Sequence, residues 1–207
     1  MYLDVFDRNP YGTNCWLLGA EGAPDVVVVD PGFEPEAVAG ILEAAGRRPA
    51  AVLLTHAHMD HAGAAGTFAG EIPVYVHGDD RSAFADYQAW GGMSPIELDS
   101  VRDLRTFADG DVLRLAGLAI EVLHTPGHTP GSSCFRLDDD VLVCSGDLVF
   151  AGTIGRSDFP NSDTVAMRAS LARFLTLPDD LRVLPGHGAE TVVGRERASN
   201  PFLQGVG

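Results

Sequence analysis

Three imidazoles and a carboxylate crowd into six residues of this chain, His56-Ala57-His58-Met59-Asp60-His61. Three more candidates sit in glycine-containing turns further on. His128 lies in Thr125-Pro126-Gly127-His128-Thr129-Pro130-Gly131, Asp147 in Ser145-Gly146-Asp147, and His187 in Gly186-His187-Gly188. Zinc and similar divalent ions take imidazole nitrogens and carboxylate oxygens, and catalytic sites keep one position open for water. A lone histidine in a turn is ordinarily solvated or hydrogen-bonded, and Asp60 has a plain reading as a helix-dipole partner. Neither reading explains the concentration. Together, the seven side chains predict two adjacent metal sites and hence a metallohydrolase.

Such a site needs elements that aim these side chains at one place. Asn14 to Gly19 and Asp25 to Asp30 read as strands, and Val26-Val27-Val28-Val29 is a β-branched run suited to a strand buried on both faces. Pro35 to Ala45 reads as a helix, with Val38, Ile41, Leu42 and Ala45 on one face and Gly46 just past its end. Ala50 to Leu54 is a strand that delivers His56 at its carboxyl end, where ligands gather in layered α/β proteins. A short helix from Asp60 to Ala69 and a strand from Ile72 to Val76 follow. A helix near Ser82 to Tyr87 falls in the irregular segment Asp79 to Arg105. The strands Asp111 to Leu115, Leu118 to Leu123, Ser132 to Leu137 and Val141 to Cys144 come next, the last two separated by Asp138-Asp139-Asp140. Asp163 to Thr176 is helical, and the strand Leu181 to Leu184 leads into His187.

Composition narrows the function. The 207 residues carry a net charge of −15 and 45% hydrophobic side chains. One globular domain is expected, with neither nucleic acid nor an anionic membrane as partner. No apolar run is long enough to span a bilayer, and the first residues show no signal-peptide pattern. Cys15, Cys134 and Cys144 form no CxxC pair, so reduced, buried thiols and a cytoplasmic location are expected.

The order HxHxDH, then His in TPGHTPG, Asp in SGD and His in PGHG, resembles the metallo-β-lactamase superfamily over nearly the whole chain. The resemblance implies a four-layer αββα sandwich, with residues 1–207 as one metallo-β-lactamase-like domain. It implies that His56, His58 and His128 hold one metal, that Asp60, His61 and His187 hold the other, and that Asp147 bridges them. The metals would be two divalent ions, with zinc first and iron or manganese as alternatives. Phe150 to Pro160 and Gly194 to Leu203 resemble the glyoxalase II group (hydroxyacylglutathione hydrolases), in its short bacterial single-domain form. That group implies hydrolysis of a small-molecule thioester by a metal-bridging hydroxide, oriented by Asp60 as a catalytic residue. With 20 residues after His187, the C-terminal helical domain of the long enzymes is not expected. Arg156 aligns with the basic residue that meets the glutathione glycyl carboxylate.

Two other readings compete. A mononuclear-iron persulfide dioxygenase of the same superfamily would use His56, His128 and Asp147. A non-catalytic metal-binding domain would not need the complete ligand set. Asp30 and Thr55 are candidates to orient an imidazole, although Asp30 before Pro31-Gly32 is equally a turn residue. His77 and His124 lack the flanking pattern and read as hydrogen-bonded structural side chains. Tyr87, Trp90 and Met93 fit either a substrate mouth or core packing.

Overall fold

The structure is a computed structural model describing residues 1–95, 97–137 and 142–206. The first of two six-stranded sheets runs in the order β1 (Tyr2–Phe6), β2 (Cys15–Gly19), β3 (Asp25–Val29), β4 (Arg48–Leu53), β5 (Val74–His77) and β6 (Leu104–Phe107). It is antiparallel up to β3 and parallel beyond. The second runs in the order β14 (Thr191–Val192), β13 (Arg182–Pro185), β10 (Leu142–Gly146), β9 (Ser133–Leu137), β8 (Leu118–His124) and β7 (Val112–Leu115). Within it, among the described residues, only β10 and β13 pair in parallel. A small hairpin joins β11 (Val149–Phe150) to β12 (Thr153–Ile154).

Side-chain alternation builds the layers. Val27 and Val29 of β3 join Leu53, Ile120, Phe135 and Leu184 between the sheets. Val26 and Val28 point the other way, onto Val38 and Leu42 of α1 (Pro35–Ala44). Val52 and Val74 pack on α2 (Met59–Ala62), α3 (Ala65–Ala69) and Tyr87 of α4 (Tyr87–Trp90). Val143 and Val183 pack on Met167, Leu171 and Phe174 of α5 (Thr164–Phe174), and α6 (Val193–Ser199) adds Val193. Helices therefore cover both outer faces, giving the expected αββα sandwich. The hydrophobic effect drives burial of both faces of β3, which is why that strand reads as an unbroken apolar run.

Several local expectations need correction. The helix expected over Asp60 to Ala69 is two short helices. The Ala64 amide leaves the helical ladder to donate to the Gly32 carbonyl at 2.8 Å, and the Gly63 carbonyl accepts from Asp99. A side chain at Gly63 would collide with the Phe33 ring. The helix expected near Ser82 to Tyr87 is a 3-10 segment, Gly78–Phe84, followed by α4, which Asp86 caps through the Ala89 amide. The strands β1, β6 and β14 and the helix α6 have no counterpart in the sequence reading. The Asp138-Asp139-Asp140 turn and Val141 lie outside the described residues. At the end of α1, Gly46 adopts φ +64° and Arg47 donates back to the Leu42 carbonyl, the closing turn that a glycine there predicts.

Candidate metal centre

All seven expected side chains meet at one edge of the sandwich. His56 follows β4, His58 caps α2, and Asp60 and His61 lie within α2. His128 follows β8, Asp147 follows β10, and His187 follows β13. Their donor atoms form three overlapping groups, each compact enough for one ion: His56, His58 and His128; His56, His61 and Asp147; Asp60, His61 and His187. The spacings are short. His58 Nδ1 is 2.8 Å from His128 Nε2, and His61 Nε2 is 3.3 Å from His187 Nε2. Asp147 reaches three rings, with His61 at 3.3 Å, His128 at 3.4 Å and His187 at 3.6 Å. Glycine at position 186 is what permits this approach, since a Cβ there would lie 2.3 Å from Asp147 Oδ1.

The outer hydrogen bonds settle where the ring protons sit. The Thr55 hydroxyl donates its one proton to Asp30 Oδ2 at 2.6 Å, so its 3.0 Å contact with His56 requires His56 Nδ1 to donate. His61 Nδ1 donates to Asp30 Oδ2 at 2.9 Å, His128 Nδ1 to the Arg156 carbonyl at 2.7 Å, and His187 Nδ1 to the Gly12 carbonyl at 3.2 Å. In the neutral rings, all four Nε2 lone pairs therefore face inward. His56 Nε2 and Asp147 Oδ1 are buried there with no hydrogen-bond partner. Converging lone pairs repel one another unless a cation lies between them, and outer donors of this kind are what fix metal-binding imidazoles. The donor set fits divalent metal ions.

Electrostatics agrees. Burial and the surrounding imidazoles push His56 well below the usual histidine range, and burial and His128 push His58 down to about 3. Burial would raise Asp60 and Asp147, yet the imidazoles, led by His61, hold both low, Asp147 at about 2. Burial would lower His61, but Asp60, Asp147 and Asp30 lift it well above its usual value. In metal-free protein a proton on His61 thus stands in for a cation, and a metal must displace it.

A pH dependence follows for metal-free protein. The folded values of His56 and His58 are depressed, so below the usual value of 6.5 the unfolded chain binds protons that the folded chain does not. His61 is protonated in both states there and adds no slope. Its own stabilisation is full below 6.5 and fades only as pH rises through its raised value. Metal-stripped protein should lose stability on acidification from pH 6.5 to 4, at about 1.4 kcal/mol per pH unit from His58, with His56 acting in the same direction. Denaturant melts at several pH values check this; a flat profile would refute it.

Residues 8–187 match the Metallo-beta-lactamase superfamily. The chain belongs to that superfamily. It is 34% identical to hydroxyacylglutathione hydrolase GloC of Haemophilus influenzae, over 98% of each chain. Among solved structures, it resembles the BLEG-1 B3 metallo-beta-lactamase, with TM-score 0.85, 31% identity and coverage of 99% and 100%. It also resembles TTHA1623 in a di-iron-bound form, with TM-score 0.79, 38% identity and coverage of 98% and 100%. As a superfamily member, the chain is a metallohydrolase.

Around this metallo-β-lactamase centre, Asp30 takes both roles open to it. It adopts φ +53°, a turn conformation that aspartate tolerates, and it binds the Thr55 amide, the Thr55 hydroxyl and His61. His77 and His124 stand apart from the cluster. Their rings stack at 3.9 Å and 11°, His77 Nδ1 accepts from the Asp79 amide, and His124 Nε2 donates to the Pro130 carbonyl. Their nitrogens lie close enough with Asp79 to reach one ion, but parallel rings do not converge their lone pairs on a point. The three cysteines are buried free thiols, and burial pushes Cys134 up to about 12.

A cavity of about 170 Å³ opens beside the cluster, lined by His58, Met59, Asp60, Tyr87, Met93 and Phe159. Tyr87 serves both core and cavity: it is buried, and its hydroxyl accepts from the Met59 amide. Met93 is exposed at the mouth, and Trp90 stands edge-on to His58 at 5.7 Å. The Arg156 guanidinium is not among the cluster side chains. It forms a paired bond to Asp158 at 2.8 and 2.9 Å and lies 4.5 Å over the Phe159 ring.

Sequence reasoning missed Thr13, whose hydroxyl reaches Asp60 Oδ2 at 3.2 Å, and the Gly12 carbonyl that orients His187. Both lie in the loop before β2, brought to the site by the Thr13–His187 bridge. No local motif marks such a contact. Phe159 was visible inside the expected loop but carried no assigned role.

Proposed function

We propose that this chain is a dinuclear metallohydrolase that cleaves thioesters of a low-molecular-weight thiol. His56, His58 and His128 would hold one ion and Asp60, His61 and His187 the other, with Asp147 shared. The observation that carries the two-ion reading is the inward convergence of four Nε2 lone pairs, with each opposite N–H engaged. Zinc is the first choice for the ions. The di-iron form of TTHA1623 supports a divalent pair without favouring zinc over iron. The similarity to GloC over the full length supports the thioester substrate.

When bound, such ions lower the pKa of a water towards neutrality and stabilise charge developing on an oxygen. The protein's own groups do the rest. Asp60, held ionised by His61 and bonded to Thr13, offers an acceptor that orients the attacking water. Met59, Tyr87, Met93 and Phe159 give the acyl group an apolar wall that excludes bulk water. A thiolate leaving group, with a pKa of about 8.5, needs little protonation, so no separate general acid is required.

Arg156 is the candidate anchor for an anionic thiol carrier, but Asp158 competes for it. Asp158→Ala should free the guanidinium and lower KM for S-D-lactoylglutathione a few-fold, whereas Arg156→Ala should raise it, both with kcat little changed. Unchanged KM in both variants would remove Arg156 from the substrate site. The overall reading is tested by metal content measured together with lactoylglutathione hydrolysis and oxygen uptake on glutathione persulfide. About two ions per chain with thioester cleavage supports it. One iron with oxygen uptake replaces it with the dioxygenase, and β-lactam turnover without thioesterase activity replaces it with a lactamase.

A further inference from the structure

We propose that Asp80 is a positioning residue whose carboxylate ties the His56–His58 loop to the His128 loop, so that three imidazoles converge on one ion. This rests on the two-site assignment above. Asp80 lies in the 3-10 segment after β5, fully buried, and its carboxylate bonds to the Ala57 amide, the Thr129 hydroxyl and the Gly131 amide rather than to any of the seven cluster side chains. Its Oδ2 accepts from the Ala57 amide at 3.1 Å, between His56 and His58. The same oxygen accepts from the Thr129 hydroxyl at 2.8 Å, one residue past His128. Its Oδ1 accepts from the Gly131 amide at 2.7 Å. Two loops separated by about 70 residues thus share one carboxylate. The position is built for it: a Cβ on Gly131 would lie 2.6 Å from the Asp80 carboxyl carbon, so only glycine admits this approach.

A buried carboxylate with three donors and no cationic partner among the described residues is costly unless every bond is made. Burial pushes its pKa up to about 6 against those donors, so it is ionised and a full acceptor at pH 8. Asparagine cannot reproduce the pattern. With its amide nitrogen at the Oδ2 position, it faces the Ala57 N–H and releases the His56–His58 loop. With the nitrogen at Oδ1, it faces the Gly131 N–H and releases the His128 loop. Either way the same ion site is loosened, while Asp60, His61 and His187 keep their own supports at Asp30, Thr13 and Gly12.

The test is zinc binding to the intact chain at pH 8 against a competing chelator, with folding checked by circular dichroism. Asp80→Asn is made alone, with His187→Ala and with His128→Ala. In the His187→Ala background, which leaves the three-imidazole site, Asp80→Asn should weaken the remaining zinc roughly 10–100-fold. In the His128→Ala background it should leave the remaining zinc unchanged. Equal weakening in both backgrounds, or none in either, overturns the proposal. If the parent chain binds fewer than two zinc ions, the site assignment fails and this proposal falls with it. Should Asp80→Asn not fold, Thr129→Val and Thr129→Ser decide the matter. Valine should weaken only the three-imidazole site and serine should restore it; identical zinc binding by both refutes the role.

Discussion

Asp147→Asn is expected to reduce zinc from about two ions per chain to one or fewer, and to cut thioester kcat/KM by roughly 10³-fold. The reason is placement. Asp147 is the carboxylate whose oxygens lie between rings from both halves of the cluster, His128 from one and His61 and His187 from the other. Its Oδ1 is buried without a hydrogen bond, which is tolerable for a group that meets a cation. Asparagine keeps the shape and one acceptor but removes the charge that two ions would share. It also puts N–H groups where lone pairs already crowd. Elemental analysis and steady-state kinetics on the purified variant check both effects. Two retained ions with near-parental activity would show that Asp147 is not shared.

How much of this centre was legible in the sequence varies by residue. His56, His58, Asp60 and His61 share one strand end and one short helix, so their proximity is local and spacing reveals it. His128, Asp147 and His187 each follow a strand of the second sheet, and the glycines flanking them mark turns that lift a side chain off the sheet edge. The αββα layering was legible only through the family resemblance that the ligand motifs carry; the apolar run of β3 and the helical periodicity of α1 and α5 marked those elements, not their stacking. The edge strands β1 and β6 were not. Tyr2–Phe6 and Leu104–Phe107 are short and carry charged residues, as edge strands do, and pairing alone defines them. Thr13, the Gly12 carbonyl and Asp80 act through contacts between distant segments, which no spacing rule reports. Arg156 shows a different limit: its charge was readable, but whether Asp158 or a substrate takes it depends on rotamers.

Asp30→Asn should separate the chemistry of the site from its fold. Asparagine tolerates the left-handed conformation at φ +53°, so the backbone at this position should remain intact. Its amide can be placed in only one way. The Thr55 N–H, 2.8 Å from Oδ1, needs an oxygen, so the nitrogen must take the Oδ2 position. There it would donate to His61 Nδ1 and to the Thr55 hydroxyl, both of which in the parent donate to Asp30 Oδ2. His61 would have to carry its proton on Nε2, inside the cluster. Thr55, its own proton released from Asp30, would turn to donate to His56 Nδ1 and drive that proton inward as well. One isosteric change thereby blocks a lone pair in each proposed ion site. We expect both zinc affinities to fall by at least about 10–100-fold, with activity following, while the far-ultraviolet spectrum of the metal-free variant stays that of the parent. Nitrogen-15 spectra of the imidazoles would read the tautomers directly. If His56 and His61 keep their protons on Nδ1 in the variant and both ions bind with parental affinity, the hydrogen-bond relay from Asp30 does not set the site.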